Sequence, residues 1–150
     1  MDTLYTILLH SHSGLRWIVL AALVYAVLIH WLGWRRGHAY RSSDRILAIS
    51  SVALIHVQLV LGIILYVLVW GSKVDFGQMA NSMIRFYTVE HSLMMILAVV
   101  LITWSNAKAK RISDASRRYK LISISWLIAL LIILTAIPWP FRAALGAGWF

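Results

Sequence analysis

Four apolar stretches, each long enough to cross a bilayer, take up most of this chain and leave little of it to fold any other way. They run from about Leu4 to Trp34, Ile46 to Trp70, Met83 to Trp104 and Leu121 to Trp139. About 20 apolar residues suffice to cross ~30 Å of hydrocarbon. Each stretch ends on a tryptophan, a residue enriched where a span meets the headgroups. The composition agrees, with 61% of the 150 residues hydrophobic and 13% charged, where a soluble domain carries about 25% charged residues. Connections of about 10 to 16 residues make sequence neighbours antiparallel partners. The expected fold is therefore all-α, a single integral-membrane domain built as an up-down four-helix bundle. The first span has two candidate starts, Leu4 and Leu15; with the later one, residues 1–14 lie along the interface. Pro138 and Pro140 stop the last helix, since proline removes a donor and biases the preceding residue away from helix.

A formal charge of +9 invites a nucleic-acid reading, but the placement of the charge argues against it. Arg35, Arg36, Arg41 and Arg45 follow the first span, and Lys108, Lys110, Arg111, Arg117, Arg118 and Lys120 follow the third, ten of the fourteen cations. The connection between spans two and three carries only Lys73 against Asp75. Loops rich in Lys and Arg face the cytoplasm, so both termini are expected outside and nucleic acid is set aside as a partner. Met1, Asp2 and Thr3 lack a cationic leader region, so no cleavable signal peptide is expected. With no cysteine in the chain, disulfides, thiolate metal sites, iron–sulfur clusters, covalently attached haem and a cysteine nucleophile are all excluded.

Chemistry then rests on the polar groups inside the spans, where an ionisable side chain costs about 2.5–3.5 kcal/mol at a helix centre. These are His10, His12, Arg16, His30, His56, Arg85, Glu90 and His91, with Gln58 as a neutral companion. An isolated buried histidine is ordinarily a neutral group bonded to a carbonyl or hydroxyl. Three of them, His12, His56 and His91 on three helices, make a ligand set more attractive, because imidazole is the commonest metal ligand and bundle cores are where such ligands converge. Counting from Leu4, His12 and His91 each lie about 12 Å from the outer boundary and His56 about 21 Å, at 1.5 Å per residue. Uncertain span ends leave the choice of pair open. His30 stands five helical turns inward of His12, either a second cofactor level or an interfacial histidine beside Trp31, and His38 falls in a basic loop. Arg16 and Arg85 either pair with Glu90, bind a ligand's carboxylates, or snorkel to the interface.

A haem b in a four-helix bundle needs two imidazoles at one depth, an apolar slot, and donors for its propionates near an interface. Histidines on three spans supply the first, Gly62, Met94 and Ala98 could admit a ring, and Arg16 or Arg85 could neutralise propionates. Here the residues resemble a family. His12-Ser13-Gly14-Leu15-Arg16-Trp17, His56 through Gly62, Arg85-Phe86 through Met95 and Ile137-Pro138-Trp139 resemble small bacterial four-span membrane proteins called cytochrome b-like, over all four spans. The resemblance implies a haem b protein of a bacterial inner-membrane electron-transport chain, with His12, His56 and His91 as the matching histidines. The four-span cytochrome b561 type is a weaker likeness. Its ligands on span four have no counterpart here, since no histidine follows His91, and one haem is the economical reading.

Quinol is the natural donor, being dissolved in the same bilayer, and Glu90 beside His91 is a candidate outward proton acceptor. Two other classes remain. His91 with Met94 and Met95 presents imidazole and thioethers, a Cu(I) donor set. Alternatively, the chain is a cofactor-free accessory subunit whose polar groups make interhelical bonds beside other redox subunits.

Overall fold

The computed structural model describes residues 2–145. Four helices make up the bundle: α1 from Asp2 to Arg36, α2 from Ser42 to Leu68, α3 from Ser82 to Ala109 and α4 from Ala115 to Ala136. All four are long and apolar enough to cross a membrane, and the described residues contain no strand beyond one isolated bridge between Trp70 and Val74. The protein is thus an all-α, multi-pass four-helix bundle. α1 is unbroken for 35 residues, about 52 Å at 1.5 Å per residue, and so overhangs the hydrocarbon.

The helix ends follow from local chemistry. Gly37, at φ +63°, turns the chain out of α1 and lets the His38 N–H reach the Gly33 carbonyl at 3.0 Å. The Asp44 carboxylate accepts from the Arg41 N–H at the start of α2 (2.8 Å), and Asp114 accepts from the Arg117 N–H at the start of α4 (2.8 Å). Asn81 caps α3 through the N–H groups of Met83 and Ile84. α4 ends where Ile137, before Pro138, becomes extended. In the connection between α2 and α3, Gln78 and the Gly77 N–H bond to the Asp75 carboxylate and hold it below the usual carboxyl range.

Each helix packs on two neighbours, α1 against α2 and α4, and α3 against α4 and α2, with the α2–α3 side the least closely packed. The core lies mainly along α4, where Ile122, Trp126 and Ala129 are fully buried and the Trp126 indole donates to Ser105 Oγ of α3 at 3.0 Å. Ile18, Val24, Val60, Ile63, Val100 and Leu131 point outward. An apolar exterior around an apolar core is the pattern of helices in lipid.

At the basic end, α1 and α4 close on Gly33, where a Cβ would stand 2.6 Å from the Tyr119 ring. Tyr119 cannot retreat freely, since its hydroxyl bonds to Asp44 at 2.6 Å. Gly33→Ala is therefore expected to cost about 1–3 kcal/mol through overpacking, read as a lower melting temperature in detergent.

Candidate functional site

A cavity of about 770 Å³ opens in the half of the bundle away from the basic connections, among α1, α2, α3 and the end of α4. That volume falls within the ~300–1,000 Å³ of small-molecule and cofactor sites. Its walls are mostly aliphatic, and the polar side chains it gathers include His12, Arg16, Gln58 and His91. The His12 and His91 rings, both lining it, meet edge-on with centroids 6.5 Å apart and planes at 75°.

Both imidazoles are positioned by their neighbours. His91 Nδ1–H donates to the Ala136 carbonyl of α4 at 2.8 Å, which leaves Nε2 as the nitrogen with a lone pair. The turn of α1 carrying His12 is tied to α2 by Gln58, whose amide donates to the His12 carbonyl at 2.8 Å. His12 Nδ1 is buried with no hydrogen-bond partner, an arrangement that ordinarily costs about 1–3 kcal/mol. Gly62 of α2 makes room for this ring, since a Cβ there would lie 3.1 Å from His12 Cε1.

A π-helical turn, Phe86–Glu90, interrupts α3 immediately before His91. It inserts one residue into the helical register, so the His91 N–H bonds to Phe86 O, five residues back. Side chains accommodate the displaced carbonyls, with Ser92 Oγ donating to Tyr87 O at 2.8 Å and the Tyr66 hydroxyl of α2 donating to Thr88 O at 3.1 Å. Such turns recur at functional sites. Sequence reading missed this one. Its only trace there is the concentration of hydroxyls around it.

His56 lies apart from the cavity with both nitrogens engaged, Nδ1–H donating to Val52 O at 2.7 Å and Nε2 accepting from Thr103 Oγ1 at 3.3 Å. Arg16 lines the cavity, as does Lys73, whose ammonium reaches the Tyr5 hydroxyl at 3.3 Å. Arg85 does not line it; its guanidinium pairs with Glu90 at 2.9 Å, with both side chains half-exposed. His30 is fully buried at the other end of the bundle, bonded to Ala26 O at 2.7 Å and to the Tyr40 hydroxyl at 3.4 Å. His10 and His38 are exposed. Met95 lines the cavity, whereas Met94 is exposed.

Among the described residues no group of three or more His, Cys, Asp or Glu side chains could hold a metal ion. A metal bound by protein side chains alone commonly takes three or four such donors. A porphyrin brings four nitrogens of its own and asks the protein for only two axial ones. His12 and His91, with ring centroids 6.5 Å apart, are the candidate pair for such a group.

No protein family, curated protein or solved structure matches this chain in the comparisons made.

Proposed function

We propose that the protein binds one haem b between His12 and His91 and takes part in electron transfer within a bacterial inner membrane, with both termini outside. The observation that carries this reading is the pair of imidazoles, 6.5 Å between centroids, brought together in the wall of an apolar cavity of about 770 Å³. Bound there, haem supplies a one-electron redox couple. His91, its Nδ1–H fixed by the Ala136 carbonyl, would hold the haem iron through Nε2, and His12 would supply the second imidazole. Arg16 and Lys73 supply positive charge for the propionates. Gln58 holds the turn that carries His12, and His56 ties α2 to α3 through Thr103.

Quinol is the donor class this arrangement favours, because it reaches the site through the bilayer. Oxidising a two-electron donor through a one-electron couple needs a further acceptor, so the protein works beside other redox subunits. Its likeness to the cytochrome b-like proteins supports the same reading.

A reduced-minus-oxidised visible spectrum of the detergent-purified protein, with haem quantified as its pyridine complex, tests the proposal. A sharp low-spin signal at one haem per chain is expected. A folded preparation from native membranes with no haem would overturn it, and metal analysis would then test the copper alternative.

Glu90, paired with Arg85 beside the cavity rather than within it, is assigned to proton release. Glu90→Gln is expected to alter the pH dependence of quinol-driven reduction while leaving haem content unchanged; an unaltered pH profile removes Glu90 from the path.

A further inference from the structure

A second, smaller cavity of about 140 Å³ lies at the opposite, basic end of the bundle, lined by Tyr40, Arg45, Asn106, Ala109, Lys110 and Arg118. It sits where the start of α2, the end of α3 and the start of α4 meet, outside the apolar middle of the spans. Its polar groups are unusually uncompensated. Neither Arg45, Lys110 nor Arg118 pairs with a carboxylate among the described residues. Asn106 is only 8% exposed as a residue, its side-chain amide makes no hydrogen bond among the described residues, and its amide atoms are not sealed off from solvent. They are open to a ligand in the cavity.

The site is also held in shape before any ligand arrives. Arg118 Nε donates to the Ala109 carbonyl at 2.7 Å, and its guanidinium lies over the Tyr40 ring, 4.4 Å from the centroid. Tyr40 in turn packs on Tyr119, with centroids 4.9 Å apart. Burial keeps the Tyr40 hydroxyl above its ordinary pKa, so it stays neutral and does not offset the three cations. Fixing Arg118 through Nε leaves its two terminal nitrogens as a fork suited to a pair of anionic oxygens.

We propose that this pocket binds a phosphate group, presented by the headgroup of an anionic phospholipid in the leaflet at the basic end. Arg45, Lys110 and Arg118 supply the charge, and Asn106 supplies neutral N–H donors. Basic pockets between membrane helices take such headgroups, and this one lies at the level where headgroups are found. A free phosphate anion has the same chemistry, and the two sources separate experimentally.

The test is native mass spectrometry of the detergent-solubilised protein with phosphatidylglycerol, with phosphatidylcholine and with inorganic phosphate. The wild type is expected to retain phosphatidylglycerol in preference to phosphatidylcholine. Arg45→Gln combined with Lys110→Gln removes two cations whose side chains make no hydrogen bond in the bundle, so the fold is spared. Retention should fall about thirtyfold, fivefold or so for each basic contact. Asn106→Leu, which keeps the side chain's bulk, should weaken retention without changing net charge. Inorganic phosphate bound in place of lipid, and lost in the same variants, would keep the phosphate site and assign it to the free anion. Equal retention by wild type and the double variant, or no preference for phosphatidylglycerol and no phosphate bound, would overturn the proposal.

Discussion

Replacing His91 with alanine is expected to abolish haem binding, with the low-spin visible signal absent and haem per chain near zero, while far-UV circular dichroism still reports a helical bundle. The expectation rests on donor count. The cavity brings two imidazoles together, and no larger group of metal donors is assembled among the described residues. Loss of one imidazole therefore removes half of the imidazole pair on which the proposed haem site rests. His12→Ala should do the same. The control is His56→Ala, which breaks two hydrogen bonds, to Val52 O and from Thr103 Oγ1. At about 1 kcal/mol each, that lowers stability but leaves both candidate ligands in place, so haem should remain at one per chain. Added imidazole should partly restore the signal in His91→Ala, because the variant opens space where the ring stood. Were haem retained in His91→Ala and lost in His56→Ala, the axial pair proposed here would be wrong even if the protein is a cytochrome.

The four spans were legible because bilayer thickness imposes a length that few other folds require, and because the cations crowd into two of the three connections. Depth was legible as well. Counting residues along two helices put His12 and His91 at one level, and their rings stand 6.5 Å apart. Azimuth was not. Whether His56 faces His12 or Thr103 depends on how α2 is rotated against its neighbours, and apolar residues on every side of a membrane helix leave no hydrophobic face from which to read that rotation.

The π turn hid a second part of the site. In a regular helix His91 stacks above Thr88 and Tyr87, three and four residues back. The inserted residue brings Phe86 within reach as well, with ring centroids 5.8 Å apart against 6.4 Å for Tyr87. The same insertion explains Arg85 and Glu90. Five residues separate them, a spacing that does not align side chains on an α-helix, yet across the wider turn their charged groups meet at 2.9 Å. Sequence spacing left Arg85 divided among Glu90, a ligand's carboxylates and snorkelling to the interface, and the local register brings it to Glu90 with both side chains half-exposed. His30 shows the opposite limit. Its burial against Tyr119 and Trp126 of α4 and under Tyr40 depends on how α1 and α4 are rotated together and on the connection between α1 and α2 folding back, which no helical periodicity records.

Gly62→Leu is expected to remove most haem binding without touching either histidine. α2 places no histidine in the cavity, and Gly62 contributes to its wall by the absence of a side chain. A Cβ at position 62 would lie 3.1 Å from His12 Cε1, closer than comfortable contact, so Gly62→Ala already presses on the imidazole and should weaken haem retention only modestly as the ring gives way by a few tenths of an ångström. Leucine adds three further carbons inside the cavity. Overpacking of this kind forces side chains off their rotamers or moves backbone, at about 1–3 kcal/mol, and here the displaced group is a proposed ligand whose carbonyl is also tied to Gln58 at 2.8 Å. The measured pattern should be graded: near-full haem and a slightly shifted spectrum for alanine, little haem for leucine, with melting temperatures of the haem-free proteins far closer together than their haem contents. Equal haem in Gly62→Leu and wild type would show that the space between α2 and His12 is not part of the site, and would move the search for the macrocycle to the α3 and α4 walls of the same cavity.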